Sequence, residues 1–350
     1  MSTRALVTPR AAVRGGRRRP ITITPEPAQA GSAHARGVAL ALLSAAGFGA
    51  MGVLAKVAYA HGANVPTLLA GRFTLATLIL WALVAVRRPA LPQRRTLVAG
   101  FLLGACFYGV ESGLYFTALT RLSASLVALL LYTYPVLVVA GAVLLRRERA
   151  DRARFAALAV AIGGAVLVIA GAGTGALDTL GLVLALTTAV MYATYVLVAD
   201  GVARRVDPLV LAALVTAGAA TSTTLFGAAT GSLHALGGTA TLIVAALAIL
   251  CTVVPITAFL FALPLVGAST ASILNTLEPV VACGLAALAF GEALGPVQIL
   301  GGTLVIAAVA GLQLRRAPRV RADDAAAEVP TAPPARQRAA RAPRGRRLGV

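Results

Sequence analysis

Ten apolar segments constrain this chain more than any other feature, because each is long enough to cross a lipid bilayer. A helix rises 1.5 Å per residue, so about 20 apolar residues span the roughly 30 Å hydrocarbon core. Only 12% of the residues are charged, whereas about 25% is usual in a soluble domain. We therefore predict an all-α membrane protein with ten transmembrane helices, here called segments 1 to 10. The segments are 37–60, 65–86, 96–118, 122–145, 153–171, 180–199, 208–230, 239–263, 267–290 and 296–314.

The arginines predict the orientation of these helices, since cytoplasmic loops of membrane proteins carry an excess of Lys and Arg. With the N-terminus in the cytoplasm, the exterior loops hold only Arg121. The interior loops then hold Arg87, Arg88, Arg94, Arg95, Arg146, Arg147, Arg149, Arg152, Arg154, Arg204 and Arg205. This asymmetry requires an even number of helices. It predicts a multi-pass protein of the cell (plasma) membrane with both termini in the cytoplasm.

The two ends of the chain differ from the apolar segments in composition and charge. Residues 1–36 hold seven arginines and one acid, and residues 315–350 hold ten arginines and three acids. Both stretches are rich in Ala, Pro and Arg and lack hydrophobic periodicity, so we predict disordered cytoplasmic tails. They either contact anionic lipid head groups or only reinforce the orientation. No aromatic residues are interleaved with the arginines, so no nucleic-acid partner is expected.

The two halves of the chain align with each other at a constant offset of 144 residues. The stretch YFTALTRLSASLVALLLYTYPV (115–136) lies over FLFALPLVGASTASILNTLEPV (259–280) without a gap. The matched residues are Ala118 and Ala262, Ala124 and Ala268, Ser125 and Ser269, Pro135 and Pro279, and Glu148 and Glu292. Because each half holds five helices, the second copy enters the membrane from the opposite face. We predict an inverted repeat, 37–171 and 172–314, a frequent design of secondary transporters.

These stretches resemble the drug/metabolite transporter superfamily, and specifically its ten-helix EamA-type members. The resemblance rests on LYFTALTRLSASLVALLLYTYPV, LEPVVACGLAALAFGEAL and ILGGTLVIAAVAG, and it covers about residues 37–314. It implies two five-helix repeats, alternating access, and export or exchange of small metabolites, and it says little about the substrate. The second repeat contains a Gly-Glu motif at Gly291-Glu292. Its counterpart in the first repeat reads Arg147-Glu148, and this departure mainly affects how that loop packs.

Two prolines interrupt equivalent helices about twelve residues from their starts. Pro135 and Pro279 each free a backbone carbonyl one turn earlier, near Leu131 and Asn275 respectively. In lipid such a carbonyl must be satisfied inside the bundle or in a wet cavity. We therefore expect both helix breaks near the bilayer midplane, with Asn275 beside a binding site. The alternative is that the prolines only kink the helices for packing.

Glu278 precedes one of these prolines and is the most informative charged residue. A carboxylate at the centre of a membrane helix costs about 2.5–3.5 kcal/mol on insertion scales, so its presence indicates function. We expect Glu278 to exchange a proton or to pair with a substrate amine, with its repeat counterpart Tyr134 facing the same space. The alternative is a neutral carboxyl group that is bonded to a freed carbonyl.

Three other charges lie at membrane depth. Arg72 and Glu111 are both roughly 10–12 Å below the predicted outer boundary, so we expect them to pair or to share one cavity. A structural ion pair and a substrate contact are equally consistent with this depth. Lys56 lies near the outer end of segment 1, where its side chain is expected to reach the interface. Four tyrosines lie near these charges: Tyr108, Tyr115, Tyr132 and Tyr134. They either line an amphipathic ligand pocket or serve as packing residues or interfacial anchors.

The sequence and this resemblance predict a secondary active transporter of small metabolites or amino acids. Export is the more frequent role in the family that it resembles, and protons are the candidate coupling ion. The predicted substrate-binding residues are Glu278, Asn275, Tyr134, Arg72, Glu111 and Tyr115, in a cavity lined by segments 3, 4, 8 and 9. A non-transporting receptor or scaffold and an intramembrane enzyme are the alternatives. No enzyme activity, cofactor or metal is expected, since Cys and His lack ligand spacing. The substrate, the direction of transport, the coupling ion and the oligomeric state, including a homodimer, stay open.

Overall fold

A computed structural model of the chain describes residues 27–146, 152–171, 178–203 and 206–316. Within these ranges every regular element is a helix. Most of both predicted tails, and Glu148, lie outside the described residues. The α-helices are α1 (Pro27–Gly49), α2 (Met51–Ala60), α3 (Val65–Arg87), α4 (Arg94–Leu103), α5 (Gly109–Leu119), α6 (Ala124–Leu131), α7 (Tyr134–Leu144), α8 (Arg152–Gly171), α9 (Thr179–Ala203), α10 (Pro208–Ala229), α11 (Gly238–Ala248), α12 (Val254–Asn275), α13 (Glu278–Phe290) and α14 (Pro296–Arg316).

Seven helical stretches of the described chain are long and apolar enough to cross a membrane. They are Ala33–Ala60, Val65–Arg87, Arg94–Leu119, Ala124–Leu144, Thr179–Ala203, Pro208–Ala229 and Gly238–Val266. Three further apolar helices are shorter: Phe155–Gly171, Glu278–Phe290 and Pro296–Gly311. The protein is therefore an all-helical, multi-pass membrane protein, and the number of ten crossings stays a prediction.

Helix breaks occur at equivalent places in the two halves. A turn at residues 132–133 separates α6 from α7, and a turn at residues 276–277 separates α12 from α13. Pro135 and Pro279 follow within the first turns of α7 and α13. Proline is well tolerated there, because its missing N–H has no acceptor at the start of a helix. Each proline thus lies where a new helix begins.

At the predicted connection between segments 8 and 9 the backbone stays helical. The sequence reading placed the connection between segments 8 and 9 at residues 264–266, but α12 is helical from Val254 to Asn275 with Pro264 inside it. Neighbouring helices and local adjustment of the backbone can accommodate a proline in a membrane helix, so Pro264 by itself does not end one. Residues 264–266 contain no glycine or charged residue that would also favour the end of a helix there.

Two wide turns of π-helix, which the sequence reading missed, interrupt equivalent helices. Gly104–Tyr108 joins α4 to α5, and Ile249–Val253 joins α11 to α12. When the offset of 144 residues is applied, the second π turn begins one residue after the position that corresponds to the start of the first. Such single π turns are rare and occur often at functional sites. They contain Tyr108 and Thr252, which are repeat counterparts at the offset of 144. Thr252 contacts Arg72 of the first half, as described below.

Three helix pairs hold the two halves together. α1 packs along α12, α3 along α10, and α8 along α14, so each pair takes one helix from each half. The backbones approach most closely where glycines meet: a Cβ atom at Gly104 would overlap the Val215 backbone, and one at Gly218 would overlap the Phe101 backbone. Small residues at such crossings allow the close packing on which association in lipid depends.

The two halves also meet at one end of the bundle, here called the distal end, which comprises the loops at residues 61–64, 120–123, 178, 230–237 and 291–295. The side chain of Asn64 donates to the Ser232 carbonyl at 2.7 Å, and Arg121 forms an ion pair with Asp178 at 2.7 Å. Each of these contacts joins the first half to the second. The distal end is therefore held by polar contacts between the halves.

Candidate functional site

A polar cavity of about 100 Å³ lies between the two halves. Its lining residues are Phe48, Met51, Arg72, Tyr108, Glu111, Ser112, Tyr115, Phe116, Leu131, Tyr134, Tyr192, Asn275 and Glu278. All six residues that the sequence singled out are among them. The structure thus brings these six side chains together, and their role in binding a substrate stays a prediction.

Arg72 is the least satisfied polar side chain of this cavity. It is fully buried, and its Nε donates a 2.9 Å hydrogen bond to the hydroxyl of Thr252. The guanidinium lies over the rings of Phe73 and Phe116, 4.8 and 5.2 Å from their centroids. Its two terminal nitrogens make no hydrogen bond of good geometry among the described residues, although the Tyr108 hydroxyl lies beside the guanidinium. A buried cation with unused donors is costly unless an anion approaches it, so this geometry is suited to an anionic ligand group.

Glu111 lies in the same cavity as Arg72 but does not pair with it. The ion pairs of the described residues are Lys56–Glu292 and Arg121–Asp178. The Glu111 carboxyl instead accepts a 3.2 Å hydrogen bond from the hydroxyl of Ser112, and its side chain is buried. Of the two expectations for Arg72 and Glu111, the structure shows the shared cavity and not the direct pair. Neither side chain uses the other as its hydrogen-bond partner.

Glu278 is the first residue of α13, directly after the helix break. It is half-buried and lines the cavity. The N-terminus of a helix carries a partial positive charge, which favours a carboxylate at this position. Gly49, at the end of α1, permits this arrangement, because a Cβ there would lie 2.7 Å from the Glu278 carbonyl oxygen. The break thus presents a carboxyl group to the cavity from a short helix end.

Asn275 is the last residue of α12, on the other side of the same break. Its backbone and side-chain carbonyl groups differ in their hydrogen bonding. The backbone carbonyl accepts a 2.9 Å hydrogen bond from the hydroxyl of Tyr132, which belongs to the first half. The side-chain oxygen is buried and has no partner among the described residues. The freed backbone group is therefore satisfied inside the bundle, and the side-chain oxygen can accept a hydrogen bond from a ligand.

Tyr108, Tyr134 and Tyr192 line the cavity, and Tyr195 joins two of their rings into a row. The ring of Tyr134 meets that of Tyr192 edge-on at 4.5 Å, Tyr192 stacks on Tyr195 at 5.7 Å, and Tyr195 contacts Tyr108 at 5.4 Å. The sequence reading named Tyr108 and Tyr134 but missed Tyr192 and Tyr195 on α9. Their spacing of three residues in an apolar helix, which puts both on one face, is the signal that would have found them.

The cavity draws on a different set of helices from the one predicted. Segment 8, which was expected to line it, contributes no lining residue. Phe48 and Met51 come from the first segment, Arg72 from α3, and Tyr192 from α9. The hydrophobic periodicity of the sequence could not predict which helices line the cavity, because the lipid-facing sides of membrane helices are as apolar as the sides that pack inside the bundle. The resulting lining combines charged and amide side chains with tyrosine and phenylalanine rings.

A second polar cluster, here called the distal contact, lies outside the cavity. It consists of Glu292, Lys56 and the first residues of α6. Burial alone would raise the pKa of Glu292, but hydrogen bonds from Ser125 and Ala124 and the Lys56 ammonium outweigh it and hold the pKa below its usual range. Lys56 lies 3.5 Å from the Glu292 carboxylate and over the Phe290 ring at 5.7 Å. Its ammonium is thus paired rather than extended to the interface.

No group of three or more His, Cys, Asp or Glu side chains that could hold a metal ion occurs in the part of the chain that the structure describes. The described free cysteines, Cys106, Cys251 and Cys283, are scattered over separate helices.

Comparison with known proteins decides the family. The model of the EamA-like transporter family matches this chain twice, over residues 35–170 and 179–314. The chain belongs to the EamA-like transporter family. It is therefore a membrane transporter assembled from two copies of one unit, as the internal alignment at 144 residues indicated.

Individual relatives of this EamA-like transporter agree with that assignment. The chain is 26% identical over 301 residues to the uncharacterized transporter YcbK of Bacillus subtilis (strain 168), a match that covers 81% of this chain and 94% of that protein. It also superposes on a solved crystal structure with a TM-score of 0.56 and 23% identity, covering 82% of this chain and 98% of the other. The second likeness concerns the fold alone.

Proposed function

We propose that this protein is a secondary active exporter of small zwitterionic metabolites, with amino acids as the leading class. In this proposal ten helices form two inverted five-helix repeats, the termini are cytoplasmic, and the distal end faces the exterior of the cell. The observation that supports it best is Arg72, whose terminal nitrogens make no hydrogen bond of good geometry among the described residues, in a cavity that also holds two carboxyl groups.

The recognition chemistry follows from the free groups of the cavity. The two terminal nitrogens of Arg72 match the two oxygens of a carboxylate in a bidentate hydrogen-bonded pair. A substrate ammonium would bind to Glu278 or Glu111 and to the side-chain oxygen of Asn275. The row of tyrosines at Tyr134 provides area for the rest of the molecule, through ring contacts and cation–π attraction. A simple amine or a simple acid would use only half of this site.

Transport requires the two halves to move, because the cavity is too small for a metabolite. A volume of about 100 Å³ holds only a few water molecules. The proposed motion is a rocking of the halves about this cavity, with the helix breaks at 132–133 and 276–277 at its centre. Discontinuous helices of this kind are typical of the binding sites of secondary transporters.

Glu278 is the proposed coupling group. A proton and a substrate ammonium compete for the same carboxylate, so binding one releases the other. A proton that enters from the exterior would displace the amine outward, and substrate that binds from the cytoplasm would displace the proton inward. An inward proton gradient then drives export, which accounts for a carboxyl group at this depth.

Two other functions are tested by the same measurement. A receptor or scaffold would bind a ligand at Arg72 without moving it across the membrane. An intramembrane enzyme would release a changed product and requires an activated nucleophile or an acid–base pair. Movement of an unchanged compound across a sealed membrane distinguishes the proposed transporter from both.

The decisive experiment begins with metabolite profiling of medium from cells with and without the protein. Candidate compounds are then tested for uptake into vesicles that contain the purified protein, with an imposed pH gradient. We expect accumulation of an unchanged zwitterion that depends on the gradient and is lost in Arg72→Ala. Equal uptake into empty vesicles, or by Arg72→Ala vesicles, would refute the proposal. Leu288→Ala, a substitution at an exposed side chain away from the cavity, is the matched control.

A further inference from the structure

The distal contact joins a loop of the second half to a helix start of the first. The Glu292 carboxylate accepts hydrogen bonds from the backbone N–H of Ala124 at 3.0 Å and of Ser125 at 3.0 Å. It also accepts one from the Ser125 hydroxyl at 2.8 Å. With Lys56 at 3.5 Å, both carboxylate oxygens are engaged by groups from the other half.

This arrangement satisfies the start of α6, whose first N–H groups have no acceptor within the helix. Ser123 accepts a hydrogen bond from the N–H of Leu126, and Glu292 takes those of Ala124 and Ser125. A carboxylate is favoured there, because hydrogen bonds to an ionised acceptor are strong and the helix dipole adds to them. The cap of α6 is therefore supplied by the other half of the protein.

The helix capped in this way leads directly into the cavity. α6 has eight residues and ends at the break before Tyr134, so at 1.5 Å per residue the distal contact lies about 12 Å from the break. Any motion that separates α6 from the second half at the distal end must remove Glu292 from the N–H groups of Ala124 and Ser125. The side chain of Glu292 is 15% exposed, so water is at hand to replace it.

We propose that Glu292 is a positioning residue that keeps the distal side of the transporter closed by capping α6 across the two halves, and that opening toward the distal side breaks this cap. The inference rests on the proposed alternating access but not on the identity of the substrate. The charged and titratable groups that face Glu292 are Lys56 on α2 and Cys283 on α13, and α6 presents none.

The test measures how readily the cavity is reached from outside the cell. Met51, which lines the cavity, is changed to Cys in a chain whose three native cysteines are replaced by Ala. A membrane-impermeant thiol reagent is then added to intact cells. Removal of the charged cap is expected to shift the balance toward the distal-open form, so Glu292→Gln should label on the order of tenfold faster. Ser125→Ala, which removes one bond, should give a smaller increase.

Two controls distinguish opening of the distal end from a general destabilisation of the protein. Asp178→Asn is matched in chemistry and lies at the same end, but its ion pair with Arg121 is more exposed and should change labelling by less than about twofold. A second reporter, Ala213→Cys, is fully buried away from the cavity and should stay unlabelled in every variant. Faster labelling of both reporters, or an equal effect of Asp178→Asn, would overturn the proposal.

The pH profile provides a readout that a purely structural role would not move. Protonation of Glu292 removes its charge, so the unmodified protein should approach the labelling rate of Glu292→Gln only at external pH below the usual glutamate value of about 4.3. An unchanged ratio between the two proteins at all pH values would refute the proposal. If Glu292 behaves as expected but no zwitterion is transported, the closure stands and the proposed substrate class fails.

Discussion

The hydroxyl of Tyr132 donates a 2.9 Å hydrogen bond to the backbone carbonyl of Asn275, and this bond crosses from the first half of the protein to the second. Tyr132 lies in the turn after α6, and Asn275 is the last residue of α12, so the two helix breaks are joined directly. The carbonyl that the break frees has no helical partner and depends on this hydroxyl.

Tyr132→Phe should therefore destabilise the protein by about 1–3 kcal/mol, because a buried carbonyl loses its hydrogen bond. The loss is measured as a change in unfolding free energy in detergent. Tyr134→Phe is the matched control, since it also removes one tyrosine hydroxyl beside the break but leaves the Tyr132–Asn275 bond and the ring contacts in place. Equal stability of the two variants would contradict the importance of the bond.

Arg72→Lys should weaken substrate binding by about tenfold to a hundredfold while the protein stays folded. Lysine keeps the charge but cannot present two parallel donors to a carboxylate, and a hydrogen bond to a charged group contributes about 1.5–3 kcal/mol. Binding to the purified protein, measured by calorimetry, tests this. Affinity that is unchanged in Arg72→Lys and lost in Arg72→Ala would show that only the charge is needed.

Glu278→Gln should abolish the response of transport to a pH gradient between pH 5 and 8. Glutamine has a similar shape but cannot exchange a proton, so coupling is lost even where some exchange of substrate persists. Uptake into vesicles with and without an imposed gradient measures the difference. A gradient response in Glu278→Gln that matches the unmodified protein would remove Glu278 from the coupling step, and Glu111→Gln would be examined next.

Gly218→Ala should destabilise the protein by at least about 1–3 kcal/mol, the usual cost of adding atoms to a packed interface. A Cβ there would overlap the backbone at Phe101, where α10 crosses α4. Gly113→Ala is the control, because the space around Gly113 is open and alanine is the better helix former. We expect thermal unfolding to shift down for the first variant and to stay level or rise for the second.

The stability contributed by Glu292 should fall in acid. The pKa of Glu292 is lowered in the folded protein, so its contribution is fully present above the unfolded value of about 4.3 and is lost as pH falls through the lower folded value. The measurement is the difference in unfolding temperature between the unmodified protein and Glu292→Gln at pH 3 to 7. A difference that grows as pH falls would contradict the sign.

The sequence located the cavity better than it described the helices around it. Polar residues such as Glu278 and Arg72 are conspicuous in apolar segments, because lipid gives them no hydrogen-bond partners, and the structure brings all six selected residues to one cavity. Apolar and aromatic residues, which are common in membrane helices, could not be recognised as cavity residues from the sequence. Tyr192 and Met51 look like packing residues, and their part in the cavity depends on which way their helices face.

Contacts between side chains were harder to predict from the sequence than the depth of each residue in the membrane. Arg72 and Glu111 were correctly placed near each other from their positions along two helices, but that argument could not distinguish a pair from a shared space. Arg72 instead bonds to Thr252, a hydroxyl that is inconspicuous in an apolar helix. Likewise, Lys56 was expected at the interface, and its actual partner Glu292 comes from a loop 236 residues further along the chain.

The π turn at Gly104–Tyr108 makes the cavity sensitive to a single residue of chain length. An ordinary helix turns about 100° per residue, since one full turn takes 3.6 residues. Deleting one residue from this turn would restore regular winding, and everything beyond it would rotate by about that angle. Glu111 and Tyr115 would then point elsewhere, although every amino acid that lines the cavity would still be in the chain.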